Sequence, residues 1–205
     1  IAGNHPLCVV SGTAGTGKST NFISINNIFG LVGKKVIGSA VSKKAADSLT
    51  ESTNIKSYTI DMLIAKNNSG KNPLSGKDLL IVDEASLLSV KQMNTIVKMA
   101  ISSKTKLVFA GDPFQLNAIS HPGAFSYLLK NQIGSSTNIS TIRRQKEEWA
   151  KTAVNDLKEG NSHKALKAFQ KEGLIHFSES SDASIQDLVL KYFELQKNEK
   201  NKKLL

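Results

Sequence analysis

Short strand-like runs recur through the first half of the chain, at residues 7–11, 35–39, 79–82 and 107–110. Each is centred on apolar residues and too short for a helix, so each predicts a buried strand. Residues 79–82 (Leu-Leu-Ile-Val) show no polar alternation, the pattern of a strand covered on both faces. Between these runs the period changes. Residues 18–29 predict a helix stopped by Gly30. Residues 42–51 predict a second helix with Ser42 as its N-cap. Residues 89–102 place Val90, Met93, Ile96, Val97 and Ala100 at helical spacing. Residues 67–77, with Gly70, Pro73 and Gly76, predict a surface loop. Strand, loop and helix in alternation predict an α/β fold: right-handed βαβ units around a parallel sheet flanked by helices.

From Trp149 the texture changes. Residues 149–159 and 162–171 predict two short helices around Gly160, and residues 175–177 a strand. Residues 184–196 predict an amphipathic helix with Ile185, Leu188, Val189, Tyr192 and Phe193 on one side. The expected division is an α/β core at 1–148 and a mainly helical extension at 149–205.

Composition narrows the partners. The 205 residues carry a formal net charge of +10, which favours polyanions. Part of that excess sits in the Lys-rich stretch 197–203 and reads equally as a solvated end. The single cysteine, Cys8, excludes an intrachain disulfide and reads as a small buried hydrophobe. His5, His121, His163 and His176 are scattered and show no metal-ligand spacing, so no histidine metal site is expected. No apolar stretch approaches the roughly 18 residues of a membrane span, and no signal peptide is visible. The expectation is a cytoplasmic chain with no membrane partner. It begins at Ile1 rather than Met, as an excised piece would.

The chemistry starts at the end of the first strand. Gly12-Thr13-Ala14-Gly15-Thr16-Gly17-Lys18-Ser19 matches G-x-x-x-x-G-K-[ST] in full, between a predicted strand and a predicted helix. Glycines there let backbone N–H groups and the helix N-terminus approach phosphate oxygens closely. Lys18 would reach the β- and γ-phosphates of ATP, and the Ser19 hydroxyl would hold Mg²⁺. Thr20 completes the expected nucleotide-binding set.

Two other strand ends carry polar residues. The strand at 79–82 runs into Asp83 and Glu84. Asp83 would hold Mg²⁺ through water, and Glu84 would polarise the attacking water. That role implies hydrolysis rather than transfer to a substrate. The strand at 107–110 runs into Gly111-Asp112-Pro113-Phe114-Gln115-Leu116. Gln115 would sense the γ-phosphate, with Asp112 orienting it or joining the Mg²⁺ water shell. Alone, this cluster would read as a plain turn.

Together these segments resemble a superfamily 1 helicase of the RecD-like branch, and more narrowly the helicase region of TraA-type conjugal transfer relaxases. The resemblance spans residues 7 to about 177. The loop matches motif I, Val82-Asp83-Glu84-Ala85-Ser86 matches motif II, and Gly111 to Leu116 match motif III. Thr141-Ile142-Arg143-Arg144-Gln145, followed by Trp149 and Ala153, resembles motif IV. The resemblance implies a RecA-like P-loop NTPase core and an Arg144 side chain that approaches the γ-phosphate. It further implies single-strand DNA contacts at Ser42, in a segment resembling motif Ia, and at Thr59. Val41 and Lys43 replace the Pro and Gly of that segment, and Met62 and Asp61 depart from the pattern around Thr59. These departures predict weakened DNA binding.

The resemblance also implies absences. The adenine-binding Gln upstream of motif I, and the second RecA-like core with its arginine finger, have no counterpart here. The expected function is the ATP-binding motor core of a DNA helicase from conjugal transfer machinery. Mg-dependent hydrolysis would be coupled to single-stranded DNA translocation in the full-length protein, where other transfer proteins are candidate partners. Alone, the chain is expected to be a weak ATPase. The alternative is a truncated nucleotide-binding remnant without helicase activity. A small-molecule kinase fits Glu84 and the Gly111 to Leu116 segment poorly. Oligomeric state is not legible.

Overall fold

A computed structural model describes residues 5–13, 16–76, 78–115, 123–139 and 145–198. The chain divides into two compact units, residues 1–146 and 147–205.

The first unit is built on a six-stranded sheet in the order β3-β2-β4-β5-β1-β6, and every pairing is parallel. The strands are β1 (Leu7–Gly12), β2 (Val36–Ala40), β3 (Ser57–Thr59), β4 (Leu79–Val82), β5 (Lys106–Gly111) and β6 (Ser135–Ile139). The helices are α1 (Lys18–Leu31), α2 (Lys43–Thr53), α3 (Ile60–Asn68), α4 (Val90–Ser102) and α5 (Ala124–Lys130). A short 3₁₀ turn, Ala85–Leu87, follows β4.

The unbroken apolar strands divide their side chains between two cores. Leu79 and Ile81 of β4, with Cys8 and Val108, face Phe22 and Phe29 of α1 and Leu49 of α2. Leu80 and Val82, with Val9, Leu107 and Phe109, face Leu63 of α3, Met93 and Ile96 of α4, and Phe125 of α5. Leu79, Leu80, Ile81 and Val82 are all fully buried, as a strand without polar alternation requires. Connections leaving β1 and β2 step one way along the sheet, and those leaving β4 and β5 step the other. Reversals of that kind open a crevice at the carboxyl ends of the strands.

Three expectations need correction. Gly30 does not stop α1, which continues to Leu31 before Val32 caps it and Gly33 takes φ 67°. Residues 175–177 form no strand. The strands β3 and β6 and the helices α3 and α5 went unpredicted. Ser42 does cap α2: its side chain accepts from the Ala45 N–H at 3.1 Å.

The second unit contains α6 (Glu148–Lys158), α7 (Ser162–Lys171) and α8 (Ser181–Asn198). α6 and α7 pack through the fully buried Ala153 and Ala165, with Trp149 edge-on to Phe169 at 5.5 Å. Buried Asp156 on α6 pairs with Lys164 on α7 at 3.0 Å. Gly160, at φ 83°, makes the turn between them. On α8, Ile185, Leu188, Val189, Tyr192 and Phe193 are all exposed.

Candidate functional site

The phosphate loop, the acidic pair and the 111–115 turn follow the carboxyl ends of β1, β4 and β5, neighbouring strands of the sheet. β1 ends at Gly12, opposite Ile139 of β6. A Cβ on Gly12 would come within 2.8 Å of Thr16 Oγ1 and 3.0 Å of the Ile139 carbonyl oxygen, so only glycine fits the base of the loop. The Thr16 hydroxyl donates to the Thr13 carbonyl at 2.8 Å and draws the loop closed. Gly17, at φ 87°, caps α1 with no side-chain hydrogen bond, and the first turn holds no acidic residue. The helix N-terminus therefore keeps its N–H groups for an anion. Lys18 Nζ donates to the Gly12 carbonyl, and to the Thr13 carbonyl at 3.3 Å, so its ammonium folds back over the loop. Ser19 and Thr20 are exposed on the first turn of α1. Ala14 and Gly15 lie outside the described residues.

The acidic pair faces the same lysine. The Asp83 N–H extends the sheet by donating to the Ser39 carbonyl at 2.8 Å, and the Asp83 carboxylate accepts from the Glu84 N–H at 2.9 Å. Glu84 takes a left-handed conformation, φ 53°, rare for a residue with a side chain. That turn swings the chain out of β4 and into the 3₁₀ turn. Burial raises the Asp83 carboxyl above its ordinary range, against the opposing pull of the Glu84 N–H and the Lys18 charge. Glu84 is also raised, by burial first and by the negative charge of Asp83 second, with Lys18 again opposing. Desolvation beside a like charge is the setting in which a carboxylate is tuned toward a base.

At the end of β5, buried Asp112 accepts from the Phe114 N–H at 3.0 Å and shapes the turn. Phe114 and Gln115 are exposed on it. Arg144 lies outside the described residues. Its neighbour Gln145 has a buried side-chain oxygen with no hydrogen-bond partner.

Ser42 and Thr59 sit apart from this cluster, at the ends of β2 and β3. Ala40 and Thr59 are register partners, so two helix N-termini emerge side by side. The Thr59 hydroxyl accepts from the Met62 N–H at 3.1 Å and caps α3. The first turn of α2 forms without the Pro and Gly of the related pattern, because the Ser42 cap starts the helix at Lys43. Asp61 accepts from Gln92 Nε2 at 3.3 Å, which ties α3 to α4. One aromatic here escaped the sequence reading. Tyr58 carries the Lys56 and Lys66 ammonium groups 5.8 and 5.5 Å from its ring centroid. Those lysines are separated along the chain, and no local pattern joins them to Tyr58.

Residues 1–180 match the AAA domain family. The chain belongs to that family. Among curated proteins, this AAA domain is 33% identical over 189 residues to a probable conjugal transfer protein TraA of Sinorhizobium fredii, covering 92% of the chain and 17% of that protein. It is 35% identical to a conjugal transfer protein TraA of Agrobacterium fabrum, covering 81% of the chain and 15% of that protein. Similarity extends to the RecBCD enzyme subunit RecD of Buchnera aphidicola at 31% identity, over 60% of the chain and 25% of that subunit. The fold resembles the crystal structure of Pif1 helicase from Candida albicans, with a TM-score of 0.56 and 23% identity, over 74% of this chain and 40% of that one. The sheet is thus the RecA-like P-loop fold of a helicase-like AAA domain. The chain spans about a sixth of the TraA proteins it matches. Among the described residues, no helix is long and apolar enough to cross a membrane, and no His, Cys, Asp and Glu group could form a metal cluster.

Proposed function

We propose that this AAA domain is the ATP-binding motor core of a RecD-like DNA helicase of conjugal transfer. In the longer protein it would couple Mg-dependent ATP hydrolysis to movement along single-stranded DNA. One observation carries the reading: Lys18, beyond the end of β1, acts electrostatically on both Asp83 and Glu84 at the end of β4, so two strand ends converge on one charge.

The donor set fits Mg-ATP. A loop that admits only glycine at its base, an uncapped helix N-terminus and a lysine suit a triphosphate. An exposed hydroxyl at Ser19 and a desolvated carboxylate at Asp83 are oxygen donors that suit a hard divalent cation. When bound, the ion neutralises charge on the β- and γ-phosphate oxygens. Lys18 would release its loop carbonyls to hold those oxygens. Glu84, with its raised affinity for a proton, would accept one from the attacking water. Gln115, exposed on its turn, would orient against the γ-phosphate, and Arg144 would approach from the segment that leaves β6 beside Gly12. Ser42 and Thr59 keep free hydroxyl hydrogens, because capping uses them as acceptors, and these would donate to single-strand phosphates. Lys56 and Lys66 add positive charge near that edge.

Calorimetry with Mg-ATP and the Lys18→Ala variant tests the binding step. Turnover measured with and without single-stranded DNA separates the motor from a nucleotide-binding remnant. DNA-stimulated hydrolysis that vanishes in Glu84→Gln supports the motor. Background hydrolysis indifferent to DNA supports the remnant.

A further inference from the structure

One stretch of the sequence is starved of acid. Between Glu84 and Glu147 the only acidic residue is Asp112, while Lys91, Lys98, Lys104, Lys106 and Lys130 all fall there. Asp112 is buried in the turn after β5, at the carboxyl edge of the sheet. The lysines belong to α4, to α5 and to the approach to β5. Lys91, Lys98, Lys104 and Lys130 are exposed, and none of these four forms an ion pair among the described residues.

Apolar side chains are left open on the same surface. Along α4, Val90, Val97 and Ile101 recur at i, i+7 and i+11, one face of the helix. Val90 is 47% exposed and Ile101 71%, and Tyr127 on α5 is 61% exposed. Two hollows open along this stripe. One of about 450 Å³ lies between α4 and α5, and one of about 560 Å³ between α4 and the first residues of β1 and β5. Val97 lines both, so they form one groove down the length of α4. From Val90 to Ile101 it runs roughly 16 Å, at the helical rise per residue. Lys91 and Lys98 flank the stripe on one side, and Lys104 and Lys106 stand at its end beside β1 and β5.

A long open apolar strip marks a binding surface, and this one is rimmed by a single sign of charge. Its walls are helices and the interior strands β1 and β5, so no sheet edge is offered to an extended chain. A helix needs none, because its backbone groups are paired internally. Phosphates would answer the lysines but leave the apolar floor in water.

We propose that the α4–α5 groove docks an amphipathic, acid-flanked helix of a partner protein. Apolar residues at i, i+3 or i+4, and i+7 fill the two hollows, and carboxylates meet Lys91, Lys98 and Lys104. Carboxylates on neighbouring stretches are already engaged: Asp61 on α3 accepts from Gln92, and buried Asp78 accepts from the Ser75 hydroxyl. The groove lies on the face of the sheet opposite α1, so the partner anchors the domain and leaves the phosphate loop open. Nucleotide binding plays no part in the inference.

The probe is a labelled peptide of about 16 residues with Leu at helical spacing on one face and Glu along both flanks, and a twin carrying Lys for Glu. Anisotropy titration into the full chain should show the Glu peptide bound at least about tenfold tighter than its twin, with affinity falling as salt rises. Ile101→Glu and Tyr127→Glu should each weaken it about tenfold or more. Both positions are exposed, so both variants should melt within about 2 °C of wild type. Lys98→Glu should weaken the Glu peptide and strengthen the Lys twin, a reversal that loss of folding cannot imitate. Equal binding of the two peptides, or an affinity unchanged by Ile101→Glu, would overturn the proposal. So would a wild-type dimer in sedimentation that Ile101→Glu dissolves, which gives the groove to a second copy. Displacement of the peptide by an oligothymidine single strand gives the lysines to nucleic acid and overturns it too.

Discussion

Two stretches of the same sheet edge use similar residues in opposite ways. At the ends of β2 and β3, Ser42 and Thr59 are satisfied: each accepts an N–H and starts a helix. At the ends of β1, β4 and β5 the polar groups are held under tension. Lys18 leans on loop carbonyls, Glu84 sits in a left-handed conformation, and Asp83 is buried at a cost. Satisfied groups build the fold, so replacing them should cost stability first. Strained and desolvated groups are what a reaction draws on, so replacing them should cost turnover and leave or raise stability.

The largest effect that could break this contrast lies at Glu84. Glu84→Gln should cut single-turnover ATP hydrolysis by about 10²–10⁴, the usual contribution of a positioned base, with nucleotide affinity nearly unchanged. Loss of affinity instead would mean Glu84 helps to bind. Next is Lys18→Ala, which should weaken Mg-ATP by about 100-fold in a calorimetric titration, as for loss of a charge-assisted contact.

The pH dependence of stability sharpens the contrast further. Burial raises the Asp83 carboxyl from its ordinary 3.8. A raised carboxyl favours the protonated fold, so its contribution is full in acid and is lost as pH rises through the raised value. Asp83→Asn should therefore melt higher than wild type near neutrality, by about 2 °C or more, with the gap closing as pH falls from the raised value towards the ordinary one. Thermal melts across pH check this; a gap independent of pH would contradict it. The smallest effect belongs to the caps. Ser42→Ala and Thr59→Ala should each cost about 1 kcal/mol, lowering the melting temperature by about 2–4 °C with ATP turnover in the absence of DNA unchanged. A cap variant that lost DNA-free turnover before stability would erase the distinction between the two ends.

Legibility in the sequence follows burial. β4 and the apolar heart of β5 were readable because both their faces are covered, which leaves an unbroken apolar run. β6 reads Ser-Ser-Thr-Asn-Ile and stands at the edge of the sheet, so it needs no such run and escaped notice. β3 has three residues and α5 seven, too few to show a period. Residues 175–177 had the apolar content of a strand, but three residues are too few for a pattern to decide it. At the site, the phosphate loop and acidic pair were legible because the chemistry demands those residue types in that order. The backbone of Glu84 and the burial of Asp83 were not. Each depends on what the end of β5 and the loop lysine bring from distant parts of the chain.

The most direct test of the central claim is a calorimetric titration of Mg-ATP into the wild-type chain, repeated with Lys18→Ala. A saturable one-to-one binding heat that collapses in the variant is the predicted result. No heat in the wild type, or an isotherm unchanged by the substitution, would contradict a nucleotide site at this loop.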